Sequence, residues 1–149
     1  MKKISAGIVF LLTVLLFSSG CANRATATLS PGTDLGKAKQ FYVVKLPSDK
    51  HGVDQLITDQ LVKMGYAAKS GPEMPAANYT ADVVVTYQDK WMWDITMYMI
   101  ELTVTLRNPG NGYPLATGNS LHTSLTRKSV EGMVEEVLAN IFNESRQKH

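Results

Sequence analysis

Apolar positions divide the chain into stretches of different period. Ile4 to Phe17 is an uncharged apolar run broken only by small residues, whereas Ala22 to Gln40 is small and polar around isolated Leu29 and Leu35. From Phe41 the periods of folded elements begin. Phe41 to Leu46 is rich in β-formers and stops at Pro47, which predicts a strand. Val53, Leu56, Ile57, Leu61 and Met64 then recur at helical spacing, with Ser48 or Asp49 placed to cap the helix and Gly65 to end it. Tyr66 to Lys69 reads as a short strand, and Gly71, Pro72 and Pro75 open a loop running to Thr80. Ala81 to Asp89 alternates as a strand.

A longer strand is predicted from about Trp93 to Arg107, closed by the turn residues Asn108 to Gly112. The returning strand, Leu115 to Thr126, carries Leu115, Leu121 and Leu125 on one face and Ser120, His122, Ser124 and Thr126 on the other. Ser129 caps a last helix whose stripe is Val130, Met133, Val134, Val137, Leu138 and Ile141. The order β-α-(β)-β-β-β-α predicts an α+β fold, a mainly antiparallel sheet with two helices packed on one face. It occupies 41–143, with 144–149 as a disordered tail.

The start of the chain changes the setting. Lys2 and Lys3, the apolar run and the small residues Ser18, Ser19 and Gly20 have the three parts of a secretory signal over 1–20. The run is shorter than the roughly 20 residues a spanning helix needs. Leu16 to Cys21 resembles the lipobox of bacterial lipoproteins, in which the cysteine is lipidated and becomes the first mature residue. Ser18 departs from that pattern, where an aliphatic residue is usual, so ordinary cleavage to a soluble periplasmic protein is the alternative. Cys21 is the only cysteine, which excludes an intramolecular disulfide. Several acyl chains on it, at about 0.8 kcal/mol per buried CH₂, would hold the protein in a membrane. Ala22 after the cysteine implies, by resemblance to lipoprotein sorting in enteric-type bacteria, the periplasmic side of the outer membrane. Residues 21–40 read as a flexible tether with a reach on the order of 25 Å, the alternative being that part of it packs as an extra strand.

Charge narrows the partners. The chain is formally +2, and loss of Lys2 and Lys3 with the signal leaves 13 basic residues against 13 acidic. No basic stripe remains to contact phosphates, so nucleic acid is not an expected partner. His51, His122 and His149 have no metal-ligand spacing. His122 lies beside Ser120 and Ser124 without an orienting acid in the sequence. Asp82, Asp89 and Asp94 form no compact ligand loop. No catalytic residue, metal or cofactor is expected, and the chain reads as a protein that is not an enzyme.

A broader resemblance rests on the lipobox-like end at Cys21, on Leu61-Val62-Lys63-Met64-Gly65-Tyr66 closing the first helix, and on Ala81-Asp82-Val83-Val84-Val85-Thr86-Tyr87 opening the meander. Together these look like small bacterial envelope lipoproteins. Their domains are similar to the amino-terminal domain of the Tol-Pal system's periplasmic propeller protein and to the curli-secretion-type lipoprotein domain. The resemblance implies an envelope domain used in assembly or binding and carries over no catalytic residue.

One segment stands out as a candidate binding face. Tyr98, Ile100, Leu102, Val104 and Leu106 make a core face of the long strand, while Trp91, Trp93, Ile95, Met97 and Met99 give its first half a second apolar face. With helices on one side only, that second face would lie open, and exposed apolar patches rich in Trp and Met mark interfaces. Cover by the tether, the Pro-rich loop or a bulge is the competing reading. The expected function is a lipid-anchored binding or assembly module docking an envelope protein, or its own copy as a homo-oligomer. Envelope maintenance and small apolar-ligand carriage are alternatives, with a hydrolase ranking behind them.

Overall fold

The computed structural model describes residues 23–148, so the stretch read as a secretory signal, Cys21 and His149 lie outside the described residues. Within them run six strands and two α-helices. In chain order these are β1 (Arg24–Leu29), β2 (Gln40–Val44), α1 (Val53–Lys63), β3 (Ala67–Gly71), β4 (Val83–Asp94), β5 (Thr96–Arg107), β6 (Pro114–Leu121) and α2 (Val130–Gln147). The strands form one sheet in the order β1-β6-β5-β4-β2-β3. β2 runs parallel to β3 and β4, and the other pairs are antiparallel. Both helices lie on one face of a mostly antiparallel sheet, as the α+β reading expects.

That face holds the core. Phe41, Val43, Val83, Val85, Leu102, Val104 and Leu106 from the sheet meet Val53, Ile57 and Leu61 of α1 and Met133, Val137, Leu138 and Ile141 of α2. Gly52 supplies no side chain at the start of α1. Asp49 caps it from further upstream, accepting from the backbone N–H groups of His51, Gly52 and Asp54 at 2.8, 2.9 and 3.2 Å. At the other end Gly65 takes a φ of +94°, and Tyr66 N–H reaches back to the Leu61 carbonyl, closing the helix with a Schellman turn. On the opposite face of the sheet a smaller cluster, Tyr42, Val44, Ala81 and Val84, is covered by Met74 and Tyr79 of the Pro-rich loop.

Four sequence expectations need correction. The stretch read as a free tether contains β1, which pairs with β6 from Arg24↔Leu121 to Leu29↔Ala116. Leu35 beyond it is buried in the main core. Alternating Thr and Ala hide a strand because they show no amphipathic contrast. The strand expected from Trp93 starts instead at Thr96, since the chain reverses at Ile95 with Asp94 paired to Thr96. No Gly, Asn or Pro announces that turn. In β6 the polar-looking positions point inward. Ala116, Ser120 and then His122 are buried on the helix side. Gly118 lies among them, where a Cβ would meet Ile141 and Val137 at 2.9 Å. Small residues there let α2 pack close. The tail expected at 144–149 is helical to Gln147, with Ser145 buried.

Candidate functional site: the tip of the β4–β5 hairpin

β4 and β5 are twelve residues long each and outrun every neighbour. Their register shifts once, between Lys90↔Glu101 and Trp91↔Met99. The extra residue, Ile100, is a bulge that inverts the alternation of β5 beyond it. On the side of the bulge away from the tip the even residues Leu102, Val104 and Leu106 face the helices, and on the tip side the odd residues do. Met99 is thus buried in the main core and Trp91 packs against it half-buried. This corrects the expectation that Trp91 to Met99 forms one open face on the uncovered side of the sheet.

The remainder of the predicted face is exposed for a different reason. His51, in the loop before α1, stacks on Trp91 with ring centroids 3.8 Å apart, and Asp89 accepts from the indole N–H at 2.6 Å. One step further along the hairpin the helix layer has ended. Trp93 is 70% exposed, Ile95 88% and Met97 54%. Met92, on the other side of the tip, is also exposed, as is Leu125 in the connection between β6 and α2. Arg127 of that connection ties it to the tip. Its guanidinium donates to Thr96 Oγ1 at 2.8 Å and to the Asp94 carbonyl at 2.9 Å, and lies over the Tyr98 ring. The hairpin is therefore braced by His51 at Trp91 and by Arg127 at the turn itself, while the apolar side chains of Trp93, Ile95 and Met97 stay bare.

The backbone at that end is unusual. Ile95 has a φ of +60°, the one non-glycine residue in the left-handed region among those described. A β-branched side chain is disfavoured there, and residues held in such regions cluster at functional sites.

A second cluster has catalytic-looking residue types and a structural arrangement. The Glu136 carboxylate accepts from Ser120 Oγ at 2.6 Å, from His122 Nε2 at 2.8 Å and from Lys128 Nζ at 2.8 Å. Burial pushes the Glu136 carboxyl up, but those three hydrogen bonds and the Lys128 charge outweigh it and bring it down to about 2. Ser120 and His122 share one acceptor; the histidine is not poised to take the serine proton, as nucleophilic catalysis requires. The sequence concealed this acid because Glu136 lies on a helix sixteen residues beyond Ser120. Asp82 accepts the N–H groups of Lys39 and Gln40, and Asp94 pairs with Arg127. Among the described residues no three His, Cys, Asp or Glu side chains converge as metal ligands, and no helix is long and apolar enough to cross a membrane. A groove of about 460 Å³ opens on the face away from the helices, between Met74 and Tyr79 of the Pro-rich loop and Arg107.

No protein-family model matches the chain, and no curated protein matches it. Among solved structures it is similar to the PelC dodecamer from Paraburkholderia phytofirmans. That match has 15% identity and a TM-score of 0.59, and covers 80% of this chain and 98% of that one. A single-substitution variant of the same PelC dodecamer matches equally. TolB from Acinetobacter baumannii aligns at 15% identity with a TM-score of 0.49, covering 81% of this chain and 32% of that one. A PDZ domain protein from Parabacteroides distasonis aligns at 9% identity with a TM-score of 0.49, over 76% of this chain and 33% of that one. At such identities the PelC likeness establishes a shared fold, and the two weaker ones add nothing to it.

Proposed function

We propose that this chain is a non-enzymatic lipoprotein of the bacterial envelope, anchored through Cys21, that acts as a tethered binding and assembly module. Its docking surface is the tip of the β4–β5 hairpin. The observation that carries this reading is the gathering of Trp93, Ile95, Met97, Met92 and Leu125, all exposed, at one end of the molecule. Isolated exposed apolar residues are ordinary, but such a cluster on a braced projection favours an interface.

In-cell photocrosslinking tests it, with a crosslinkable residue replacing Met97 and a control at Thr105, further down the same strand. A discrete adduct, to protein or to lipid, from Met97 alone supports the docking surface; silence at Met97 in a folded protein sinks it. Labelling with a palmitate analogue tests the anchor, since Cys21→Ser should remove the label entirely.

A second reading is self-assembly. PelC, whose fold this chain shares, forms a dodecamer, and β1 and β3 are both sheet edges with unpaired backbone groups. Native mass spectrometry of the mature protein in detergent distinguishes a monomer from a higher oligomer.

A further inference from the structure

We infer that the hairpin tip docks on the membrane itself, in the interfacial layer beside the lipid on Cys21. The inference rests on the proposed anchor and docking surface and names the occupant of that surface. It follows from where the chain leaves the sheet. Arg24, the first residue of β1, pairs with Leu121, which pairs with Glu101, which pairs with Lys90. These four residues form one row across the sheet, and the hairpin continues beyond that row to Ile95. Five residues of strand carry it about 16 Å further. The chain preceding Arg24 emerges at this same end, because β1 starts where β6 stops.

Cys21 is three residues from Arg24, so covalent geometry holds it within about 11 Å of the row. A tip projecting about 16 Å from the same row reaches as far as the anchored cysteine or past it. Acyl chains seated in a bilayer therefore bring the tip to the headgroup and upper-acyl layer. Its chemistry suits that layer. Tryptophan is favoured at membrane interfaces, and apolar side chains enter the acyl boundary. Arg127 is paired with Asp94, and Arg24 lies 3.7 Å from Glu101. Contact is thus driven by apolar burial, with little dependence on anionic lipid. Ile95 is unfavourable in water on two counts, its positive φ and its 88% exposure, and an apolar layer over the tip removes the second.

The chain has two tryptophans, so Trp91→Phe leaves Trp93 as the reporter, and phenylalanine can keep the stack on His51. The mature lipoprotein is reconstituted in phosphatidylethanolamine–phosphatidylglycerol vesicles carrying brominated acyl chains. The control places the only tryptophan in the β5–β6 turn, at the other end of the sheet, by Tyr113→Trp with both native tryptophans changed to Phe. Trp93 emission is expected to be blue-shifted and quenched at least about threefold more than the control. Adding Ile95→Asp, at a side chain that packs on little, should reverse both effects while the helical circular dichroism stays unchanged.

Equal quenching at the two ends overturns the inference. Weak quenching at Trp93 together with a protein adduct from Met97 in cells overturns it too, but leaves the docking surface standing with a protein on it. Weak quenching with silence at Met97 overturns both.

Discussion

Two residues carry information out of proportion to their size. Ile95 holds a left-handed conformation that costs an ordinary residue on the order of 1–2 kcal/mol. Asparagine tolerates that conformation, so Ile95→Asn is expected to raise the unfolding free energy by about 1 kcal/mol, read from the urea midpoint. An unchanged or lowered midpoint would show that the isoleucine makes stabilising contacts after all. A stabilising change at an exposed apolar position would also mark Ile95 as kept for something other than folding. Gly118 is the opposite case, fixed by packing alone. A Cβ there would stand 2.9 Å from Ile141 and Val137, both on a helix pressed against the sheet. Gly118→Val should therefore destabilise by about 1–3 kcal/mol through overpacking, measured by thermal or chemical unfolding. Neither role was legible in the sequence. A turn through a β-branched residue has no local signature, and a glycine in a polar-looking strand reads as filler until the helix above it is known.

At the scale of elements, the helices and the inner strands were legible because burial on one face writes a period into the sequence. The stripes of α1 and α2 fall where expected, and Asp49 proves to be the cap. What misled was the bulge at Ile100, since one extra residue moves every side chain beyond it to the other face. The β6–α2 contact was misread for a related reason. Its polar residues are inside, joined through Glu136, and a buried polar network has no periodic mark. That network makes a pH prediction. The Glu136 carboxyl lies at about 2 in the folded protein against 4.5 ordinarily. It therefore contributes stability that is fully present above pH 4.5 and is lost as pH falls through that value toward about 2. Asp49 acts in the same direction. Partial burial pushes its carboxyl up, but the Tyr87 hydroxyl and the three capping N–H groups hold it below its usual range. Glu136→Gln should destabilise the protein at neutral pH, and its deficit relative to the parent should shrink in acid. Urea midpoints at about pH 7 and about pH 3 check this. A deficit independent of pH would mean that the carboxylate charge is not what ties α2 to β6.

For the whole molecule, the decisive difference between sequence and structure is the length of the tether. Nineteen small and polar residues after Cys21 read as a leash long enough to lift a domain clear of the lipid, and on that reading the anchor and the apolar patch are independent. Pairing of β1 with β6 takes up that leash and leaves Ala22 and Asn23 between the cysteine and the sheet. If Cys21 is anchored as proposed, anchor and hairpin tip lie at the same end of the sheet, and the position of one constrains the other. This coupling is testable without touching the tip. Inserting about sixteen Gly/Ser residues between Asn23 and Arg24 preserves the lipobox-like segment, β1 and every core contact, while adding a reach of roughly 20 Å. If proximity to the anchor holds the tip at the membrane, the effective concentration of tip at the interface falls with the longer linker. Quenching of Trp93 by brominated lipid should drop toward that of the Tyr113→Trp control, with palmitate labelling and thermal stability unchanged. If quenching instead persists in full, the tip binds lipid strongly enough on its own, and the short spacing between Cys21 and β1 must serve another end, such as setting the height of neighbouring copies in an assembly.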